Sequence, residues 1–142
     1  MHLPFWIDVF ISPIRDSTPA QVACVAVLLL VLMDVVFGVL SACMNKEFSS
    51  EKMRQGIGHK CSELGFMLMG LIIDGTIVGG IDLGIGLKAP VLVTICTYIA
   101  LMEIGSLLET FVKMNPTLEH SPLFRLLSDV KGKTIEKEED NG

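Results

Sequence analysis

The sequence predicts an all-α membrane protein built on three transmembrane helices, and three observations predict it. The 142-residue chain is 51% hydrophobic and only 19% charged, with mean hydropathy +0.59. Its charges gather in three stretches and leave long apolar runs between them. Its basic residues fall on one side of a membrane if the chain crosses three times, and not if it crosses twice.

The first run is residues 20–43, AQVACVAVLLLVLMDVVFGVLSAC, with Asp34 as its one formal charge. As a helix it rises about 36 Å, enough to cross a hydrocarbon core of about 30 Å. Thr18-Pro19 before it reads as a cap followed by a first-turn proline. The second run, residues 60–81, has an uninterrupted apolar stretch only from Leu64 to Ile73 and includes Asp74 and several glycines. Glycine is tolerated in membrane helices, so a span is expected, with a re-entrant or interfacial helix as the competing reading. The third, residues 90–108, opens on a first-turn proline and contains Glu103. DLGIGLKA between the second and third runs reads as a short glycine-rich turn.

The rest is peripheral. Residues 3–14 are short and aromatic, and suit the membrane interface. After the break at Asn115-Pro116, residues 121–130 read as a short amphipathic helix, followed by a charged, solvated tail. The expected division is a transmembrane domain at 1–112 and a cytoplasmic segment at 113–142.

Orientation follows from the eleven Lys and Arg. Three spans put the loop bearing Lys46, Lys52, Arg54 and Lys60 on the same side as the C-terminal segment, together holding nine of the eleven. The positive-inside rule then places the N-terminus outside and the C-terminus in the cytoplasm.

Composition excludes several classes. Hydrophobicity this high argues against disorder, and the segregation of charge argues against a soluble two-layer domain. A net charge of −5 gives no basic face for nucleic acid. Cys24, Cys43, Cys61 and Cys96 show no CxxC spacing, and the three histidines are scattered, so neither a disulfide framework nor a zinc site is expected. The first sixteen residues lack a basic n-region and a cleavage pattern, so no signal peptide is expected. No nucleophile–base pair or phosphate-binding loop has a recognisable setting, so neither enzymatic activity nor a cofactor is expected.

The acids in the spans are the candidate functional residues: Asp34, Glu63, Asp74 and Glu103. An acid at the bilayer centre costs on the order of 3 kcal/mol. Helical spacing gives each span one polar, small-residue stripe: Asp34, Gly38, Ser41 and Asn45; Glu63, Met67, Gly70 and Asp74; and Glu103, Ser106 and Thr110, continuing Cys96 and Ala100. On one reading the stripes meet in a compact bundle, the acids protonated, hydrogen-bonded or paired with Lys60, while Gly38, Gly70, Gly75 and Gly79 allow close helix approach. On the other they seal a dormant oligomer and later line water.

The first loop with its flanks, DVVFGVLSACMNKEFSSEKMRQGIGHKCSE (34–63), and the later EIGSLLETFVKMNPTLEHSPLFRLL (103–127), carry a resemblance. They resemble the phage holins of the toxin-secretion/phage-lysis group, holin family 4, which includes Bacillus podophage and clostridial toxin-secretion holins. The similarity covers roughly residues 28–128. Thr110 stands where Asn is usual, and Asn115-Pro116 and Ser121-Pro122 replace a Gly-x-Pro-x-Pro-like stretch. The resemblance implies a small protein of the host cytoplasmic membrane that accumulates, forms homo-oligomers in the bilayer and opens lesions releasing an endolysin. The rival expectations are a small ion or solute channel and an antiholin-type membrane regulator.

Overall fold

A computed structural model describes residues 4–46, 49–81, 84, 90–122 and 125, with the Lys52 side chain left out. The described residues form four α-helices and a terminal 3-10 turn, with no strand among them. Helix α1 is Phe5–Arg15, α2 Thr18–Met44, α3 Ser50–Val78 and α4 Val91–Met114; the 3-10 turn is Pro116–His120. The turn expected at 82–89, the amphipathic helix at 121–130 and the charged tail lie outside the described residues, apart from Gly84, Ser121, Pro122 and Arg125.

Three of these helices, α2, α3 and α4, are long and apolar enough to cross a membrane. Their 27, 29 and 24 residues rise about 40, 44 and 36 Å. Their outward faces carry the apolar residues a bilayer would cover, such as Leu28, Leu29 and Leu32 on α2, Leu68 and Ile72 on α3, and Leu101 and Met102 on α4. Several polar side chains on these helices bond the backbone one turn back, as hydrocarbon surroundings require. The Thr76, Thr94 and Thr97 hydroxyls donate to the carbonyls of Ile72, Pro90 and Val93 at 2.7–3.0 Å.

Helix ends depart from the sequence expectation. Ser17, not Thr18, caps α2: its hydroxyl accepts from the Ala20 N–H, and Thr18 and Pro19 lie inside the first turn. Helix α3 begins at Ser50, ten residues before the expected start. Residues 50–59 are mostly polar, with Met53 and Ile57 the large apolar side chains among them, so the apolar run that marks the span in the sequence starts later than the helix does. It is one uninterrupted helix from Ser50 to Val78.

Helix α4 is the central element. Along it, α2 packs in parallel: Cys24 and Cys96 meet at one end with their sulfurs 4.0 Å apart, and Phe37 and Phe111 pair edge to face at the other, centroids 4.9 Å apart. Between them Val27 and Val31 pack with Ile95 and Ile99 to form the core. Helix α3 runs antiparallel against the other side of α4. The two helices come close at Gly70, where an added Cβ would lie 2.9 Å from the Ile95 side chain and 3.2 Å from the Leu92 backbone. By contrast, α2 and α3 scarcely approach each other.

Helix α1, which the sequence marks only as a short aromatic segment suited to the interface, docks on the C-terminal end of α3. Phe10 lies over Gly75, where a Cβ would come 2.7 Å from its ring, and Val9 lies by Gly79. Phe5 and Trp6 remain exposed. The corner into α2 is held by Arg15, which pairs with Asp8 and Asp16, and by Gln21 donating to the Arg15 carbonyl at 2.9 Å. Arg15 holds the exposed Asp16 carboxyl below its ordinary range by hydrogen bonding and charge, and these carboxylates raise the guanidinium in turn.

Candidate functional site

The site is built around Lys60, two-fifths of the way along α3. From there its four-carbon stem spans the gap that α2 and α3 leave open. The ammonium reaches Asp34 Oδ2 on α2 at 2.9 Å and donates to both carboxylate oxygens of Glu103 on α4. Glu63, one turn further along α3, brings its Oε2 within 3.7 Å of the same nitrogen. Its Oε1 lies 3.0 Å from His59 Nδ1.

All four side chains are largely withdrawn from solvent: relative exposure is 14% for Lys60, 13% for Asp34, 11% for Glu63 and 1% for Glu103. One ammonium therefore faces three carboxyl groups in a setting where charge is poorly solvated. Glu63 Oε2 is buried and accepts no hydrogen bond. Removing the ammonium would leave acids uncompensated in low dielectric, a loss of about 3–5 kcal/mol for a buried pair.

The fourth acid stands apart. Asp74 lies buried at the other end of the bundle, where one carboxylate oxygen accepts from the Val91 N–H and the other from the Leu92 N–H, each at 2.9 Å. Helix α4 is preceded by Pro90, which has no side chain able to cap it. Asp74 supplies the cap from another helix and complements the positive end of the α4 dipole. A periodicity argument puts Asp74 on the stripe with Glu63 but cannot show a partner seventeen residues further along the chain.

The predicted stripes meet the bundle interior in part. On α3, Met67, Gly70 and Asp74 all face α4. On α2, Asp34, Gly38, Ser41 and Asn45 line a cleft of about 400 Å³ together with Lys60 and Thr110. Gly38 therefore departs from the expected packing role: a Cβ there would meet nothing within 4 Å. Gly70, Gly75 and Gly79 do sit at close helix approaches, the latter two against α1.

Of the basic residues expected to set topology, Lys46 ends α2 on exposed, left-handed backbone, φ 54°, and Arg54 is exposed on α3. The side chain of Lys52 lies outside the description. Of the three whose side chains are described, Lys60 is the one drawn into the interior. Nothing in the residue pattern points to the Phe37–Phe111 pair, and the Gly75/Gly79 spacing is the one weak signal for the α1–α3 contact.

The bacteriophage holin family matches the chain over residues 18–121, a stretch that takes in α2, α3, α4 and the 3-10 turn and leaves out α1. No curated protein and no solved structure matches it.

Proposed function

The chain belongs to the bacteriophage holin family, and from that premise we propose how this multi-pass protein of the bacterial membrane performs its part in phage lysis. It accumulates in the host cytoplasmic membrane with its N-terminus outside and its C-terminus in the cytoplasm. It then forms homo-oligomers and opens lesions wide enough to release a cytoplasmic endolysin. It works by assembly and not by catalysis, and its functional partner is the endolysin, without a stable complex.

The observation that carries this reading is the buried tie from Lys60 to Asp34 and Glu103, which joins three helices through charge. An apolar alternative would hold a static bundle at least as well, since buried ion pairs contribute little net stability. Charges kept inside a span have a use if the helices later separate and the same groups face water, where ionised side chains cost little. Lateral contacts between copies supply the free energy for that rearrangement once surface density is high. Loss of the membrane potential acts in the same direction, because one charge moved through 100 mV is worth about 2.3 kcal/mol.

The test is to express the chain in a bacterium carrying a cytoplasmic endolysin and to follow turbidity and endolysin release. Delayed, abrupt lysis that requires the endolysin and is advanced by an uncoupler is the expected result. Dye-scale leakage with the endolysin retained would replace this reading with the channel; steady growth would replace it with the regulator.

A further inference from the structure

Helix α1 lies outside the residues that the family match covers, and the proposed mechanism gives it no part. Its place in the bundle is specific nonetheless. Helices α2 and α3 scarcely approach each other, and Lys60 joins them through Asp34. Gly75 stands fifteen residues, about 22 Å, further along α3. At that end α1 leaves α2 through the corner at Asp16 and Ser17 and crosses to α3, with Phe10 seated on Gly75 and Val9 beside Gly79. It touches α2 and α3 but scarcely α4. Helix α1 therefore bridges the same open seam that Lys60 bridges, at a second and distant point.

A proline divides α1 into two parts. Pro13 has no N–H to give the Val9 carbonyl one turn back, and the Ser12 hydroxyl donates to that carbonyl instead, at 2.8 Å. After the proline, Ile14 packs against the bundle core, and the Arg15 carbonyl accepts from Gln21 of α2. Before it, Val9 and Phe10 rest on α3. Arg15 links the two parts by pairing with Asp8 on one side of the proline and Asp16 on the other, and both pairs are exposed, so water screens them. One end of α1 is thus anchored, the other is docked, and the weakest point of its backbone ladder lies between them.

We propose that α1 is a strap that holds the α2–α3 seam closed at the end away from Lys60, and that it swings off α3 about Pro13 when those helices part. No residue of α1 is buried. In a bilayer the apolar side chains that leave α3 meet lipid and not water, so close packing at two glycines holds the strap, without a hydrophobic driving force. A contact of that kind keeps its geometry while the bundle is closed and costs little to release. The part that release plays in lysis rests on the lesion-opening reading; the closure of the seam by α1 does not.

Spin labels on Val22→Cys of α2 and Ile77→Cys of α3, both exposed positions, report the width of the seam by pulsed electron spin resonance on the full chain in detergent, with Cys43→Ser and Cys61→Ser removing the exposed thiols. Phe10→Ala, which removes the ring without adding bulk, and Gly75→Val should each lengthen the distance by about 5 Å, half an interhelical spacing. Helix content by circular dichroism should stay unchanged. Gly65→Ala, which meets open space, should leave the distance as it is. A Cβ at Gly79 would lie 3.3 Å from a Val9 methyl, so Val9→Cys with Gly79→Cys on the same serine background should cross-link α1 to α3 at an oxidising outer face. Beside a cytoplasmic endolysin, that chain should withhold lysis until dithiothreitol is added. An unchanged distance in both Phe10→Ala and Gly75→Val would overturn the strap whatever the culture does. Lysis of the cross-linked chain at the time of the unaltered one would overturn it too. If the unaltered chain does not lyse either, the lesion reading fails and the distance alone decides.

Discussion

Lys60 on α3 and Asp34 on α2 are joined at 2.9 Å across a gap that the backbones of those helices leave open. The same ammonium is held from behind by Glu103 on α4. Helix α2 packs along α4 through apolar side chains, and α3 packs along α4 through Gly70, but α2 and α3 are tied to each other through charge. The weakest seam of the bundle is therefore also its most polar. That makes it the seam at which separation of the helices would first admit water.

Lys60→Ala should destabilise the folded protein by about 3 kcal/mol, because it leaves Asp34 and Glu103 buried without a counter-charge. Lower accumulation in the membrane and an earlier thermal unfolding midpoint in detergent are the expected readouts. Lys60→Met combined with Asp34→Asn, Glu63→Gln and Glu103→Gln should recover most of the loss, since neutral groups of similar volume remove the uncompensated charge. Failure of the quadruple variant to recover would mean that Lys60 acts through packing of its stem.

Asp74→Ala should free the first N–H groups of α4 and cost about 1–2 kcal/mol, the usual loss for a helix cap. Asp74→Asn keeps one acceptor oxygen, so its cost should be smaller. Thermal denaturation followed by circular dichroism separates the two. Equal midpoints for both variants and the unaltered chain would deny Asp74 its capping role.

Gly75→Val should detach α1 from α3. A Cβ at this position would stand 2.7 Å from the Phe10 ring and 3.1 Å from its Cα, and a backbone atom cannot yield as a side-chain tip can. Hydrogen exchange at the amides of residues 5–15 should quicken while exchange in α2 and α4 stays as before. Gly38→Val, which meets open space, should leave α1 exchange unchanged.

Asp16 should titrate below the ordinary value of 3.8, because the Arg15 guanidinium stabilises its charged form. A folded-state value below the unfolded one gives a contribution that is present above the ordinary Asp range and is lost as pH falls through the folded value. The pair is fully exposed, so solvent screening keeps that contribution small. A carboxyl titration by NMR should show the Asp16 midpoint returning to the ordinary value in Arg15→Gln.

Much of the architecture is legible in the sequence because it rests on signals that survive without tertiary context. The run at residues 20–43 is long enough to span by length alone, and helical spacing puts Asp34 with Ser41, and Met67 with Asp74, on faces that the structure turns inward. The pairing of Lys60 with intramembrane acids follows from charge balance in a medium that cannot solvate lone ions. Other features depend on contacts distant in sequence. Asp74 is a cap because Pro90 leaves α4 uncapped, and the N–H groups it accepts from begin at Val91, seventeen residues along the chain. Gly38 differs from Gly70 because α3 veers from α2 while it touches α4, and no spacing rule distinguishes the two. The polar start of α3 is hidden from hydropathy because helices do not end where hydrocarbon does.

The central claim is that the tie across α2 and α3 governs when the assembly opens, and lysis onset in Asp34→Asn tests it most directly. The variant weakens the tie to α2 while leaving Lys60 with Glu103. Expressed beside a cytoplasmic endolysin and compared with the unaltered chain at matched accumulation, it should lyse the culture earlier and still require the endolysin. Lysis at an unchanged time would contradict the account and leave the Lys60 cluster a purely structural feature of the closed bundle.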